Sequence, residues 1–114
     1  MAKTPLGMGG GIFGDASVAL TAIGTTAATA ATVLADWQMV DVVTSTNYGV
    51  ILRAMNAGES GGVSNGDATE ALWVYPPTGM KFNNQTANLQ YIVPQGKAIY
   101  YTFLNATHIL VVGG

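Results

Sequence analysis

From about residue 37 onward, short apolar runs alternate with turn-forming residues. The runs are rich in β-branched and aromatic residues, and they recur about every ten residues. Clusters of Gly, Pro and Asn separate them, as at 76–79 and 94–97. This spacing predicts an all-β fold, a small antiparallel sandwich or barrel of about 6–8 short strands. The runs lie at 40–44, 48–52, 71–75, 89–93, 98–104 and 108–112.

The chain before residue 37 follows two other patterns. Residues 1–15 are rich in glycine around a few apolar side chains, and such a segment cannot offset its own ordering entropy. It predicts an extended Gly-rich arm that becomes ordered on binding. Residues 16–36 are rich in Ala and Thr, which favours either one short helix or an extended lead-in strand. The β domain is then expected over residues 37–114.

Two of the predicted strands are apolar on both faces. In 71–75, Trp73 and Tyr75 point away from Leu72 and Val74. In 98–104, Tyr100 and Leu104 lie opposite the face formed by Ile99, Tyr101 and Phe103. A sheet with one buried face alternates apolar with polar residues. A second subunit would cover the additional apolar face, and this interpretation assigns Trp73, Tyr75 and Tyr100 to a subunit interface. A central sandwich strand, covered by a loop or by the arm, is the alternative.

The low number of charges supports an assembled protein. Only 9% of the residues are charged, four basic and six acidic, whereas soluble domains average about 25%. A monomer relies on a charged surface to remain separate from its neighbours. The four basic residues are scattered and the net charge is −2, so we expect no nucleic-acid partner.

A membrane span is considered for one stretch only. Residues 16–35 carry no charge and have the length of a transmembrane helix. Their hydroxyl groups, their many small side chains and the lack of a cationic flank are atypical of a span. We therefore expect no membrane partner.

The sequence contains few residues of the types that carry out catalysis or bind metals. The chain has no cysteine and one histidine, His108, for which a hydrogen-bonded structural role is expected. Residues 9–14 match the dinucleotide pattern GxGxxG, but no predicted strand precedes them. No nucleophile, acid–base pair or metal-ligand cluster emerges. We expect no enzymatic activity, no cofactor and no bound metal.

Two stretches of the sequence carry a family resemblance. YGVILRA at 48–54, a Gly-rich interval containing VSN, and ALWVYPPTGMKFNN at 71–84 resemble a pattern common in small virion proteins of tailed bacteriophages. The Gly-rich N-terminus, the Ala/Thr tract and the strand near PQGKAIYYTF are similar to the same proteins. The chain thus resembles the capsid decoration, or cement, proteins.

The resemblance implies a location and a partner. A decoration protein is a compact β domain, often a homotrimer, on the capsid exterior of the virion. It would stabilise the shell by bridging subunits of the major capsid protein. The arm would order along those subunits and would be anchored by its apolar pair. The residues assigned to the capsid-binding arm are Gly9, Gly10, Gly11, Ile12, Phe13 and Gly14.

Two other functions remain open. The chain is alternatively a head or tail fibre subunit, or another minor structural subunit of the virion. A small surface- or glycan-binding β module, with Trp73 and Tyr75 as a stacking platform, is the third hypothesis.

Overall fold

The structure is a computed structural model that describes residues 15–114. Across that range the regular structure is entirely β, without a helix, so the all-β prediction is confirmed. The strands are short because turn residues interrupt each apolar run. They are β1 (Ala16–Ser17), β2 (Thr21–Ala22), β3 (Ala31–Thr32), β4 (Trp37–Val40), β5 (Val42–Val43), β6 (Gly49–Ile51), β7 (Ser60–Asn65), β8 (Leu72–Tyr75), β9 (Lys81–Phe82), β10 (Tyr91–Val93), β11 (Ala98–Phe103) and β12 (His108–Gly113).

The strands form three sheets within the described range. The largest has six strands in the order β1-β4-β7-β11-β12-β9. A second sheet has the order β10-β8-β6-β3, and β2 pairs with β5 alone. Chain neighbours therefore lie mostly in different sheets, because the chain turns from one sheet to the next after each short strand.

The predicted antiparallel arrangement is wrong for most of this structure. Six of the nine strand pairs in the described part of the chain are parallel. The strands number twelve rather than 6–8, and a sandwich or barrel is not confirmed. The turn residues that end each strand were interpreted as hairpin turns, whereas many of them direct the chain into another sheet.

Residues 16–75 stack in a solenoid-like manner. Thr21 pairs in parallel with Val42, an offset of 21 residues. Gly49 pairs in parallel with Trp73, an offset of 24 residues. Strands of successive turns thus lie beside one another, as in proteins built from stacked repeats.

The Ala/Thr-rich segment 16–36 is extended. It contributes β1, β2 and β3, which pair in parallel with β4, β5 and β6 respectively. A turn closed by the bond from the Thr29 N–H to the Thr26 carbonyl separates β2 from β3. Of the two alternatives left open by the sequence, the structure has strands. No helix within residues 15–114 has the length and apolarity needed to cross a membrane.

After β8 the pairing becomes mainly antiparallel. β11 lies between β7 and β12 and pairs antiparallel with both over five residues each. The turn predicted at 94–97 is observed, and the turn predicted at 76–79 lies one residue later, at 77–80; backbone hydrogen bonds of 3.1 and 3.0 Å close them. Gly79 and Gly96 occupy the third position of these turns with φ of 87° and 73°, the left-handed conformation that a type II turn requires.

The core lies between the sheets and is formed by alternate residues of the long strands. Along β11, Ile99, Tyr101 and Phe103 are buried, as the period-two pattern predicts. The buried amide of Asn65 donates to the carbonyls of Glu70 and Val93 at 2.8 and 3.1 Å. Among the described residues, every buried side-chain polar atom has a hydrogen-bond partner, as expected of a well-packed interior.

Candidate interaction surface

The outer side of the six-stranded sheet carries a group of exposed apolar side chains. Their exposed fractions range from 36% to 57%. Clusters of this kind on a protein surface mark sites of association, whereas single exposed hydrophobics are normal. We call this group the outer apolar face. It consists of Trp37, Met39, Tyr100, Leu110 and Val112.

Strand register brings these residues together. Trp37 on β4 lies opposite Gly62 on β7, which lies opposite Tyr100 on β11. Tyr100 in turn lies opposite Val112 on β12. Residues directly opposite one another project from the same side of a sheet. Leu110, two residues from Val112, therefore shares that side.

Gly62 makes room for the two aromatic rings. A Cβ atom at this position would lie 3.0 and 3.1 Å from two ring carbons of Trp37, so the indole lies against the glycine backbone. The Trp37 and Tyr100 rings are consequently neighbours, with centroids 6.3 Å apart and planes inclined by 58°. This spacing is in the range of favourable aromatic pairs.

Two hollows flank the aromatic pair. One has a volume of about 260 Å³ and extends from Trp37 past Met39 to Ala98. The other, of about 170 Å³, lies between Trp37, Tyr100 and Leu110. None of the residues within 15–114 that line these two hollows is charged. The outer apolar face is therefore complementary to an uncharged, apolar surface of a partner whose side chains would fill the two hollows.

The three residues assigned to a subunit interface lie in different places. Trp73 and Tyr75 belong to β8 in the four-stranded sheet, whereas Tyr100 lies on the outer apolar face. Trp73 is half-buried, and Tyr75 has only 5% of its surface exposed. The Tyr75 hydroxyl donates to the Thr25 carbonyl at 3.2 Å, and burial raises its pKa. Tyr75 thus has little area left for a subunit or a sugar.

The sequence analysis missed four residues of the outer apolar face. Trp37 and Met39 alternate with buried Gln38 along β4, so a polar residue points inward and apolar ones point outward. This inverted order of polar and apolar residues along β4 is the sequence signal that could have indicated the outer apolar face. Gln38 is accommodated inside because its amide donates to the Ser17 hydroxyl at 3.0 Å and accepts from the Leu34 N–H at 2.8 Å.

The proposed arm residues, Gly9, Gly10, Gly11, Ile12, Phe13 and Gly14, lie outside the described residues. The first described residue, Asp15, is part of an ionic cluster. Its carboxylate accepts from the Asp36 N–H at 2.9 Å and lies 3.4 Å from Arg53, which also contacts the Asp36 carboxylate at 2.8 Å. The Asp36 N–H, together with Arg53, lowers the pKa of Asp15.

The other clusters of polar side chains stabilise loops through hydrogen bonds. Asp67 accepts from the backbone N–H groups of Val43, Thr69 and Glu70, which lowers its pKa to about 2. His108 has the predicted hydrogen bonding, with Nδ1 lying 2.8 Å from the Thr107 hydroxyl oxygen. Residues 15–114 contain no group of three or more His, Cys, Asp or Glu side chains arranged to hold a metal ion.

Comparisons with protein-family models, with curated proteins and with solved structures gave no match for this chain. The outer apolar face is therefore interpreted from its own chemistry and geometry.

Proposed function

We propose that this chain is a structural virion protein that decorates the outer surface of a phage capsid. It binds there as a homotrimer and stabilises the shell by bridging neighbouring major capsid subunits. The outer apolar face is the observation that carries the proposal, because a rigid, uncharged sheet surface suits permanent burial against protein. The resemblance of residues 48–54 and 71–84 to small virion proteins supports the same assignment.

The outer apolar face is assigned to contacts between copies. Burial of apolar surface contributes about 25 cal/mol per Å², and side chains on paired strands lose little further freedom when they are covered. Tyr100 keeps its predicted interface role, and Trp37, Leu110 and Val112 take the place of Trp73 and Tyr75. A ring of three copies closes when each copy contacts its two neighbours.

The arm, residues 9–14, is assigned to the major capsid protein. Three arms on one trimer bind several capsid subunits at once, so modest individual contacts give firm attachment. Stabilisation of the shell then needs no chemical step, in line with the expected lack of enzymatic activity.

Co-assembly tests this function. The chain is co-expressed with the major capsid protein of the same genome, and assembled shells are sedimented and analysed for bound chain. We expect many copies per shell for the full chain and none after deletion of residues 1–14. Few copies at one location would instead support a fibre or vertex subunit, and no shell binding would overturn the proposal.

A further inference from the structure

One asparagine of the chain is followed by glycine. It is Asn65, with Gly66 after it, whereas every other asparagine precedes a larger residue. The side-chain amide of an asparagine is open to attack by the backbone nitrogen of the next residue. Glycine hinders this attack least, because it has no Cβ. The sequence therefore contains one strongly favoured position for spontaneous deamidation.

Deamidation at this position has two steps and consumes one molecule of water. The Gly66 nitrogen loses its proton to solvent base and bonds to the side-chain carbonyl carbon of Asn65, and the side-chain nitrogen leaves as ammonia. Water then opens the resulting succinimide ring at either of its carbonyl groups. The products are aspartate and isoaspartate at position 65, and nothing is oxidised or reduced.

The fold engages the attacking nitrogen. Asn65 is the last residue of β7 and pairs in parallel with Val40 of β4. The Gly66 N–H donates to the Val40 carbonyl at 2.8 Å, so the hydrogen bonding between the two strands continues beyond β7. Attack requires this nitrogen to lose its proton and to turn toward the Asn65 side chain. The bond to Val40 therefore has to break before the reaction begins.

The fold also restrains the amide that is attacked. Only 1% of the Asn65 surface is exposed, which excludes the base and the water that the reaction needs. The side-chain nitrogen donates to the Glu70 and Val93 carbonyls, and the side-chain oxygen accepts from the Asp67 N–H at 3.0 Å. These three bonds fix the conformation of the side chain in the folded chain.

Asn65 lies where the solenoid-like region meets the antiparallel strands that follow it. Its backbone N–H donates to the Lys97 carbonyl and its carbonyl accepts from the Gly96 N–H, each at 2.9 Å. Val93, which accepts from the side chain, precedes the same turn at 94–97. Exposure of Asn65 thus requires this turn to separate from β7. Such an opening disrupts the core and belongs to the costly end of the range of opening motions.

Either product is incompatible with the site. A carboxylate has no N–H group, so the Glu70 and Val93 carbonyls would lose their donor and face a buried negative charge. Isoaspartate adds a methylene group to the backbone, which displaces Gly66 relative to Val40. A chain that has reacted cannot restore the two backbone and three side-chain hydrogen bonds of Asn65.

We propose that Asn65 is a deamidation site that the folded chain masks and that unfolding exposes. Once the reaction has occurred, the chain cannot return to its native structure, so unfolding becomes irreversible. The proposal concerns a property of the single chain and depends neither on capsid binding nor on trimer formation.

The rate of deamidation in the full chain tests the masking. The protein is incubated at mildly alkaline pH in native buffer and in guanidinium chloride, and peptides that contain residue 65 are quantified by mass spectrometry. We expect Asn65 to react in the denaturant and at least about 1,000-fold more slowly in native buffer, because the reaction follows the small population of open chains. A smaller ratio of the two rates would overturn the proposal.

Ala57→Gly is the matched control for masking, because it places a glycine after the exposed Asn56. In this variant the amide of Asn56 should deamidate in native buffer while Asn65 of the same molecules remains intact. Equal reaction at the two positions in native buffer would show that the fold does not protect Asn65.

Refolding tests the irreversibility. Wild type and Gly66→Ala are held in guanidinium chloride for increasing times and are then diluted into native buffer. The refolded fraction of wild type should fall in step with the deamidated fraction. Gly66→Ala should keep its refolded fraction far longer, because the added methyl group hinders the attack. Asn65→Asp, which carries one of the two products from the start, should have a lower Tm than wild type or fail to fold. Deamidated chains that refold with the wild-type Tm would overturn the proposal.

Discussion

The solenoid-like region, residues 16–75, and the antiparallel region, residues 81–113, are built from the same types of residue in different ways. β1, β2 and β3 each pair over two residues, whereas β11 pairs over five residues with each neighbour. The two largest fully buried side chains, Phe82 and Phe103, lie in the second region, and the next largest, Leu72, lies at the end of the first. The buried side chains of the first turn, Ala22, Val33 and Ala35, are small.

The terminal strands of the two larger sheets are two or three residues long, and the longest strands lie inside the six-stranded sheet. Long antiparallel strands bury alternate residues and fix their register through many backbone bonds. Short parallel strands form few backbone hydrogen bonds of their own, so their stability depends on pairing with strands of the preceding and following turns. Among the described strands, β1 and β3 are terminal in the first region and β9 and β10 are terminal in the second.

The largest expected effect concerns the antiparallel core. Phe103→Ala removes a fully buried ring and should lower the free energy of unfolding by about 3–5 kcal/mol. Val33→Ala in the first turn removes only two methyl groups and should cost clearly less. Urea unfolding of both variants gives the two values. Equal losses would show that the two regions contribute alike, contrary to this comparison.

A smaller effect is expected where the two regions meet. A Cβ atom at Gly61 would collide with the Asp36 carbonyl and would lie 2.7 Å from the Tyr101 hydroxyl. Gly61→Ala should therefore lower the free energy of unfolding by about 1–3 kcal/mol, the usual cost of overpacking.

Gly66→Ala is the matched control for Gly61→Ala. Its added Cβ would lie 3.3 Å from both the flexible Met39 side chain and the Val40 carbonyl oxygen, whereas the Gly61 Cβ would collide with the Asp36 carbonyl. Thermal or urea unfolding of the two variants should rank Gly61→Ala as the more damaging. The reverse order would mean that the junction tolerates displacement of the Asp36 backbone.

The smallest effect is a pH dependence in the solenoid-like region. Asp67 has its pKa lowered from 3.8 to about 2, chiefly by the Val43 N–H. A lowered pKa in the folded state means that Asp67 contributes stability above pH 4, and that this contribution falls away as the pH drops from about 4 to about 2. Asp67→Asn should be less stable at neutral pH and should show a shallower loss of stability over that interval. Parallel curves for wild type and variant would contradict the assignment.

The sequence analysis was most successful where local chemistry decides the structure. Period-two alternation identified the buried face of β11, and the Pro/Gly turns are at 94–97, as expected, and at 77–80, one residue after the expected position. Both signals arise from neighbouring residues and need no knowledge of distant strands.

The parallel pairing was not predicted because it depends on distant partners. β4 and β7 are separated by the whole of β5 and β6. β1 to β6 have only two to four residues each, which leaves no periodicity long enough to indicate their neighbours. The outer apolar face was missed for a similar reason. Its five residues come from three strands, and only the register of those strands brings Trp37 beside Tyr100.

The outer apolar face is the central element of this account, and the mass of the free protein in solution tests it most directly. Light scattering coupled to size exclusion should give three times the 11.7 kDa of one chain. Tyr100→Lys, which places a charge on that face, should give a single chain. Ile92→Lys, at a similarly exposed position in the other sheet, should remain trimeric. A wild-type mass of one chain at high protein concentration would contradict the account.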